Sequence, residues 1–332
     1  MKIAVLGPVF TESYFGGVAT FDENLAIAFK KLGHDVTLVS NQKNKPKQIY
    51  GSIKVMTTKE ARKKQYDIMI ASLAYCRFFN KFSAKKKVYF LHGFYSFRVY
   101  GIMKTILSVL FQKHYIKYCD CVISNSSYTH NINNNMLNVK SDDYVGLGVS
   151  YDFLDALKKD RTVRGKHILY IGRVVKAKNV DQIVLALKEL NKDDYVLDIV
   201  GSGCDEDEIK RLAENNGLNV VFHGRVQQED LPKFYKSADI FISLNPSEPF
   251  GITFLEALIS GCKIICPKTG GQIDFLKNYT DRVVMVDEKN PKEISLSIEK
   301  LSSVKCHNIV DVDDFSFENV AQSIINIVWG RK

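Results

Sequence analysis

Two glutamates eight positions apart, Glu248 and Glu256, lie in the segment whose residue types are best suited to chemistry. A strand pattern ends near Leu244, Glu248 follows in a loop, and a helix is predicted to begin at Gly251 or Ile252. Backbone N–H groups in the first turn of a helix lack internal partners and favour an anion. Glu256, one turn into the helix, could accept both hydroxyls of a vicinal diol such as a ribose. The spacing alone fits equally well a capping loop followed by a helix with Glu256 on its solvated face.

A second segment follows another predicted strand and carries the cations Arg173, Lys176 and Lys178. Cations in a strand-to-helix loop could neutralise a diphosphate, which a divalent metal does in other sites. Arg173 can make paired contacts, whereas Lys178 acts as a point charge. In isolation, such a loop also fits an ordinary solvated surface. Glycines follow further strands, where the backbone can approach a ligand closely, at Gly201, Gly203, Gly270 and Gly271.

Both segments lie within a regular alternation of predicted strands and helices. The chain opens with a strand at Lys2–Leu6, a Gly16-Gly17 loop, a helix over about 18–32 and a strand at 35–40, and the plan begins again at Ile168. Such alternation predicts parallel sheets with helices on both faces. The predicted fold class is therefore α/β with two Rossmann-like, doubly wound halves. Ligands are expected at the carboxyl ends of their strands.

The length and composition fit about two globular domains. The 332 residues are 45% hydrophobic and 25% charged, which excludes a disordered, collagen-like or coiled-coil chain. We place the first domain at 1–152, rejoined by a C-terminal helix at 316–332, and the second at 153–315, with the polar stretch 158–161 near their boundary. There is no run of about 18 apolar residues, so no membrane-spanning segment is predicted.

The cysteines and the acidic pairs indicate neither a disulfide framework nor a metal site. The seven cysteines show no Cys-x-x-Cys spacing, which indicates reduced thiols in a cytosolic protein. They are Cys76, Cys119, Cys121, Cys204, Cys262, Cys266 and Cys306. Of two Asp-x-Asp strings, Asp205–Asp207 opens a predicted helix, where acids complement the helix dipole. The other, Asp311–Asp313, is far from any glycine loop. We expect no metal ion and no cofactor.

The order of these motifs resembles that of retaining GT-B glycosyltransferases of the family-4 type, the glycosyl transferases group 1. In the C-terminal half the resemblance covers 172–178, 201–203, 224–238, 247–261 and 270–271, and in the N-terminal half 16–17, 91–93 and 124–126. Asn179, where the family often has glycine, and Gln272-Ile-Asp274 depart from its pattern. The resemblance implies a GT-B fold, in which two Rossmann-like domains face each other across a cleft. It assigns the acceptor to the first domain and the nucleotide-sugar to the second.

The resemblance also implies a role for each matching residue. Glu248 would contact the transferred sugar, and Glu256 would hold the ribose hydroxyls. Arg173 and Lys178 would stabilise the leaving diphosphate, and His92 would face the sugar from the first domain. Further contacts to the nucleotide-sugar are expected at Gly16, Gly17, Val226, Phe250, Gly251, Ile252 and Thr253.

The positive charge is concentrated in the first half of the chain. Residues 1–150 hold 21 Lys/Arg and 9 Asp/Glu, a net charge of +12, although the whole chain has only +9. The segment 97–117 is apolar with interspersed lysines and predicts a basic amphipathic helix, which could lie on an anionic membrane. An ordinary domain helix whose lysines reach into solvent fits the same pattern. Because the phosphate-binding motifs lie mostly in the other half, we expect an acceptor or a membrane at the basic surface, and no nucleic acid.

The resemblance implies a hexosyltransferase that uses a nucleotide-diphosphate sugar, with a UDP-sugar favoured. It would move a hexose or N-acetylhexosamine to a saccharide, glycolipid or polymer acceptor, with retention at the anomeric carbon. The expected setting is bacterial cell-surface polysaccharide or glycoconjugate synthesis, in the cytoplasm or at the inner face of the membrane. Two alternatives stay open: a nucleotide-sugar epimerase on the same fold, and a non-catalytic protein that binds nucleotides or nucleic acid. No oligomeric state is predicted.

Overall fold

The computed structural model of the protein describes residues 1–11, 16–157, 166–190, 194–304 and 310–330. Contacts divide the chain into two units, Met1–Ser150 with Asp313–Lys332, and Tyr151–Val312. The polar stretch 158–161 and Cys306 lie outside the described residues. The other cysteines have free thiols. Among the described residues, no helix combines the length and the apolar character needed to cross a membrane.

The first unit is built on one mostly parallel sheet. Its strands are β1 (Lys2–Leu6), β2 (Asp35–Val39), β3 (Gln48–Ile49), β4 (Ile53–Met56), β5 (Gln65–Ser72), β6 (Ser83–Leu91), β7 (Cys121–Ser124) and β8 (Asp143–Tyr144). In the part of the unit that the structure describes, their order is β3-β4-β2-β1-β5-β6-β7-β8, with an antiparallel hairpin at β3–β4. Residues 3–6 of β1 are fully buried, as expected for a central parallel strand covered on both faces.

Helices cover this sheet. They are α1 (Gly17–Lys31), α2 (Thr58–Ala61), α3 (Phe97–Tyr100), α4 (Ile102–Ile116), α5 (Ser127–Asn131) and the C-terminal helix (Phe317–Gly330). A 3₁₀ segment spans Leu73–Lys81, and α5 continues into a π-helical turn at Ile132–Met136. The C-terminal helix packs on α1, where Lys31 pairs with Glu318 at 3.2 Å. The single helix predicted over 97–117 is wrong, because Gly101 adopts φ +78° and separates α3 from α4.

The second unit has a parallel sheet. Its strands are β9 (Lys166–Ile171), β10 (Tyr195–Val200), β11 (Val220–Gly224), β12 (Ile240–Ile242), β13 (Lys263–Pro267) and β14 (Val283–Val286), in the order β11-β10-β9-β12-β13-β14. The helices are α6 (Tyr151–Leu157), α7 (Val180–Lys188), α8 (Glu206–Asn215), α9 (Leu231–Ser237), α10 (Ile252–Ile259), α11 (Ile273–Leu276) and α12 (Pro291–Ser303). The strand order reverses between β9 and β12, so the loops after these two strands diverge and leave a crevice of the kind that binds ligands.

The predicted α/β class with two Rossmann-like sheets is confirmed. Apolar runs of β-branched residues predicted the central strands because a parallel strand is buried on both faces. The short β3–β4 hairpin was not predicted. It is an edge element of the first sheet, where burial imposes less pattern on the sequence.

Candidate functional site

Three adjacent loops of the second unit lie side by side at the carboxyl edge of its sheet. They follow β9, β10 and β11. Val174 N–H donates to Ser202 O at 3.1 Å, and Gly201 N–H donates to Gly224 O at 2.7 Å. The Arg225 Nε–H donates to Ser202 Oγ at 3.0 Å. The first bond holds the cationic loop after β9 against the loop after β10, and the other two join the loops after β10 and β11.

The glycines of these loops are needed first for loop-to-loop packing. A Cβ on Gly201 would lie 1.9 Å from the carbonyl oxygen of Gly172, and a Cβ on Gly203 would lie 1.9 Å from that of Val174. The buried Tyr170 hydroxyl donates to the carbonyl of Arg173 at 2.7 Å, which anchors the same loop from below. The Arg173 side chain is exposed. The loop is therefore rigid at its backbone while its guanidinium reaches solvent.

Lys178 and Glu248 form an ion pair in the crevice beside β9 and β12. Lys178 Nζ lies 2.8 Å from Glu248 Oε2, and each side chain is 20% exposed. Asn245 Nδ2 donates to the same oxygen at 2.8 Å. Gly271 N–H donates to the Glu248 carbonyl at 2.8 Å, so the loops after β9, β12 and β13 meet at this residue. The structure thus brings two of the predicted site residues together, although 70 positions separate them.

Asn179 stands at a position where the resemblance implies glycine. Its backbone is left-handed, with φ +52°, a conformation that asparagine tolerates better than most residues. Its side-chain amide donates to the Leu244 carbonyl at 2.8 Å and accepts from Lys289 Nζ at 2.5 Å. Asn179 therefore ties this loop to the segment that follows β12.

Glu256 is buried, so the alternative of a solvated helix face is wrong. Its side chain lies in α10, the residue is 6% exposed, and it accepts a hydrogen bond from the Tyr235 hydroxyl at 2.8 Å. Burial raises the pKa of Glu256 to about 7, although the tyrosine hydrogen bond acts in the opposite direction. Near neutral pH this carboxyl can therefore be protonated or ionised, and a ligand that favours one form can select it.

The start of α10 has the geometry expected of an anion site. Gly251 has φ +90°, and a Cβ there would lie 2.7 Å from the Phe254 ring and 3.4 Å from Glu248 Cγ. Ile252 and Thr253 are the first helical residues, and their amides precede the internal hydrogen-bond ladder. The Phe250 side chain packs against Phe275 with 5.2 Å between ring centroids, so only its backbone can serve a ligand. Val226, in the loop after β11, is half-buried.

In the first unit, the predicted residues lie at the start of α1 and directly after β6. Gly16 precedes α1, and a Cβ on Gly17 would meet nothing within 4 Å. His92 follows β6, with Nε2 2.8 Å from Ser72 Oγ. Asn125 Nδ2 donates to the His92 carbonyl at 2.8 Å, which joins two of the short sequence stretches that carry the resemblance. Burial lowers the pKa of His92 to about 3, so the ring is neutral.

Several residues that hold the site residues in place are not evident from the sequence. Tyr235 lies inside a segment that carries the resemblance, and Asn245 lies just before another, but no pattern assigned either residue a role. Asp22 and Ser72, which contact each other at 2.6 Å beside His92, had no sequence signal. In the described part of the chain, no group of three or more His, Cys, Asp or Glu residues is arranged to hold a metal ion.

Known proteins share both the sequence motifs and the fold. Residues 156–308 match the family model of the glycosyl transferases group 1. An uncharacterized glycosyltransferase of Methanocaldococcus jannaschii is 31% identical over 173 residues, which cover 49% of this chain and 44% of that protein. The chain spans about half the length of the curated relatives it matches.

Two solved structures extend the likeness in fold to nearly the whole chain. The sucrose-phosphate synthase of Thermosynechococcus elongatus superposes with a TM-score of 0.69 at 17% identity, covering 99% of this chain and 94% of that one. Anabaena HepE in complex with UDP and glucose gives a TM-score of 0.67 at 16% identity, covering 99% and 95%. These matches confirm the GT-B fold class, and residues 156–308 are similar to the glycosyl transferases group 1.

Proposed function

We propose that the protein is a retaining glycosyltransferase that moves a hexose or N-acetylhexosamine from a nucleotide-diphosphate sugar to a saccharide, glycolipid or polymer acceptor. The observation that carries the proposal is the Lys178–Glu248 pair, which lies beside the start of α10 at the carboxyl edge of the second sheet. A cation, a carboxylate and the first amides of a helix, close together, suit a phosphate with a sugar attached. A UDP-sugar is the favoured donor, which the complex of Anabaena HepE with UDP and glucose supports.

The donor would be held by contacts that differ along its length. Glu256 accepts the ribose hydroxyls, and the backbone at Val226 contacts the base. Lys178 and Arg173 stabilise the charge that develops on the leaving diphosphate, while the first amides of α10 add neutral donors. A diphosphate that approaches Lys178 competes with Glu248 for the ammonium group. The Glu248 carboxylate is then available to the sugar hydroxyls, with Asn245 still holding it in place.

A variant pair tests this assignment. Lys178→Ala should lower donor turnover by roughly a hundredfold, the scale of losing one electrostatic donor to a transition state. Lys166→Ala is the matched control, because Lys166 forms an exposed 3.0 Å ion pair with Asp194 at the opposite end of β9. Turnover is followed as release of nucleoside diphosphate from a panel of nucleotide-sugars, and the product anomer by proton NMR. Equal activity of both variants, an inverted product, or epimerisation without acceptor would overturn the proposal.

We further propose that the first unit takes its acceptor at an anionic membrane, through an apolar stripe on α4. Met103, Ile106, Leu107 and Leu110 recur at helical spacing on one face, and Met103 is 72% exposed. The opposite face is anchored, because Thr105 and Gln112 are buried. Lys104 and Lys117 are exposed at the two ends of α4. Apolar side chains flanked by cations fit the interface of a bilayer that contains anionic lipids.

Vesicle sedimentation tests the membrane proposal. The protein should bind vesicles of phosphatidylglycerol and phosphatidylcholine at low salt, and not vesicles of phosphatidylcholine alone. Leu107→Glu should reduce binding at least tenfold. The control is Leu296→Glu on α12, because Leu107 is 59% exposed and Leu296 57%. The membrane proposal would be abandoned if Leu107→Glu bound as well as Leu296→Glu.

A further inference from the structure

Three side chains in direct contact form a row across the carboxyl edge of the first sheet. Asp22 projects from α1, Ser72 ends β5, and His92 follows β6. Ser72 Oγ lies 2.6 Å from Asp22 Oδ1 and 2.8 Å from His92 Nε2. Both Asp22 and Ser72 are fully buried. The contacts are direct, so the position and protonation of one group constrain the next.

The packing around these three side chains leaves them little conformational freedom. A Cβ on Gly7, which follows β1, would lie only 1.8 Å from Asp22 Oδ2. The glycine is therefore required for the carboxyl to enter. Phe21 and Phe90 pack against the His92 ring, with centroid distances of 4.8 and 4.9 Å. The ring is held by two aromatic neighbours and by its bond to Ser72.

The surroundings of the Asp22 carboxyl favour its protonated form. Its Oδ2 is buried and has no hydrogen-bond partner among the described residues. Burial raises the pKa of Asp22 well above its ordinary value; donation from the Ser72 hydroxyl to the ionised carboxylate opposes the shift, and the nearby Glu23 carboxylate adds to it. An uncompensated buried carboxylate is costly, so the neutral acid is the stable form.

The hydrogen positions follow from counting donors. With an ionised Asp22, Ser72 Oγ would donate to Oδ1 across the 2.6 Å contact. The neutral Asp22 has one O–H, and because Oδ2 has no partner among the described residues, we place the proton on Oδ1, from which it is donated to Ser72 Oγ. Ser72 has a single proton. If it accepts from Asp22, it donates to His92 Nε2, and a neutral imidazole then carries its proton on Nδ1. Among the described residues, Nδ1 makes no hydrogen bond, and His92 is partly exposed.

We propose that Asp22 and Ser72 are positioning residues that keep the proton of His92 on Nδ1, so that His92 offers the substrate a hydrogen-bond donor and not a base. The complementary ligand atom is an oxygen acceptor, either a sugar hydroxyl oxygen or a phosphate oxygen. The identity of this ligand rests on the proposed function, whereas the tautomer is a property of the free protein. With the proton on Nε2 instead, Nδ1 would be unprotonated and could only accept a hydrogen bond from the ligand.

Nitrogen NMR of the ¹⁵N-histidine-labelled protein tests the tautomer directly, because protonated and bare ring nitrogens differ strongly in chemical shift. The His92 signals are assigned by their loss in His92→Gln. We expect Nδ1–H and bare Nε2 in the unmodified protein. Ser72→Ala should give a mixture of tautomers, while the signals of His130, whose Nδ1 lies 3.1 Å from Ser141 Oγ, stay in place. A wild-type ring protonated on Nε2, or a tautomer unchanged in Ser72→Ala, would overturn the proposal.

Conservative variants separate positioning from folding. Asp22→Asn can still donate to Ser72 through its amide, so it should keep the Nδ1 tautomer, whereas Asp22→Ala should lose it. Ser72→Thr retains the hydroxyl and should rescue both the tautomer and activity if Ser72→Ala fails to fold. In turnover assays, Ser72→Ala should lower kcat/KM for the donor roughly tenfold, the scale of one hydrogen bond. If the unmodified protein cleaves no nucleotide-sugar, the proposed function fails, but the NMR result still decides the tautomer.

Discussion

Replacing the buried carboxyl in Glu256→Gln should make protein stability less dependent on pH. Glutamine keeps the acceptor oxygen that faces the Tyr235 hydroxyl at 2.8 Å, but it cannot ionise. In the unmodified protein, burial raises the pKa of Glu256 from 4.5 to about 7. As pH rises from about 4.5 to 7, the unfolded chain loses this proton before the folded one. The contribution of Glu256 to stability therefore falls across that window and is level above it.

The size of the effect follows from the shift. A pKa difference between 4.5 and about 7 corresponds to a change of ~3 kcal/mol in the free energy of unfolding. Part of this contribution is already lost at pH 5, so the free energy of unfolding should fall by roughly 2.5 kcal/mol between pH 5 and pH 8 through Glu256. Relative to the unmodified protein, the stability of Glu256→Gln should thus increase by about 2.5 kcal/mol as pH rises from 5 to 8. Other titrating groups are common to both proteins and cancel in the comparison.

Urea unfolding at pH 5, 6, 7 and 8 measures the difference, and carboxyl ¹³C NMR gives the pKa of Glu256 itself. Glu208→Gln, at an exposed position on α8, controls for the loss of one acidic group. If the stability curves of the unmodified protein and Glu256→Gln ran parallel and the carboxyl titrated near pH 4.5, burial would not govern this group. The proposed ribose contact adds a second expectation: affinity for a nucleoside diphosphate should rise roughly tenfold from pH 6 to pH 8, as the carboxylate forms.

Three further substitutions test the roles of the strand-end loops. Gly203→Ala should destabilise the fold by about 2–4 kcal/mol in urea unfolding, because the new Cβ would lie 1.9 Å from the Val174 carbonyl oxygen; an unchanged midpoint would contradict the packing. Gly17→Ala has open space around its Cβ, so it should leave the melting temperature the same or slightly higher while lowering kcat/KM for the donor. Arg173→Ala, at an exposed side chain, should change stability by less than ~0.5 kcal/mol but lower turnover, and full turnover would remove Arg173 from the diphosphate site.

The sequence predicted the class of fold because its strands are central and buried. Continuous apolar runs such as 3–6 and 168–171, followed by glycine loops and amphipathic helices, admit few arrangements besides parallel sheets. It also predicted that Glu248, Lys178 and the start of α10 belong to one region, since loops after parallel strands share one edge. It failed over 97–117, where Gly101 interrupts a helix that the composition alone favours.

The sequence by itself therefore determined the strand and helix order, the loops that carry chemistry, and the residue types available in them. Only the tertiary structure decided the state of those residues, because protonation depends on burial and on partners distant along the chain. Tyr235 lies 21 positions from Glu256, and Ser72 lies 50 positions from Asp22 and 20 from His92. No local pattern encodes such distances. Burial raises the pKa of Glu256 to about 7, so this carboxyl titrates near neutral pH. Burial also keeps His92 neutral, next to Ser72 and the buried Asp22.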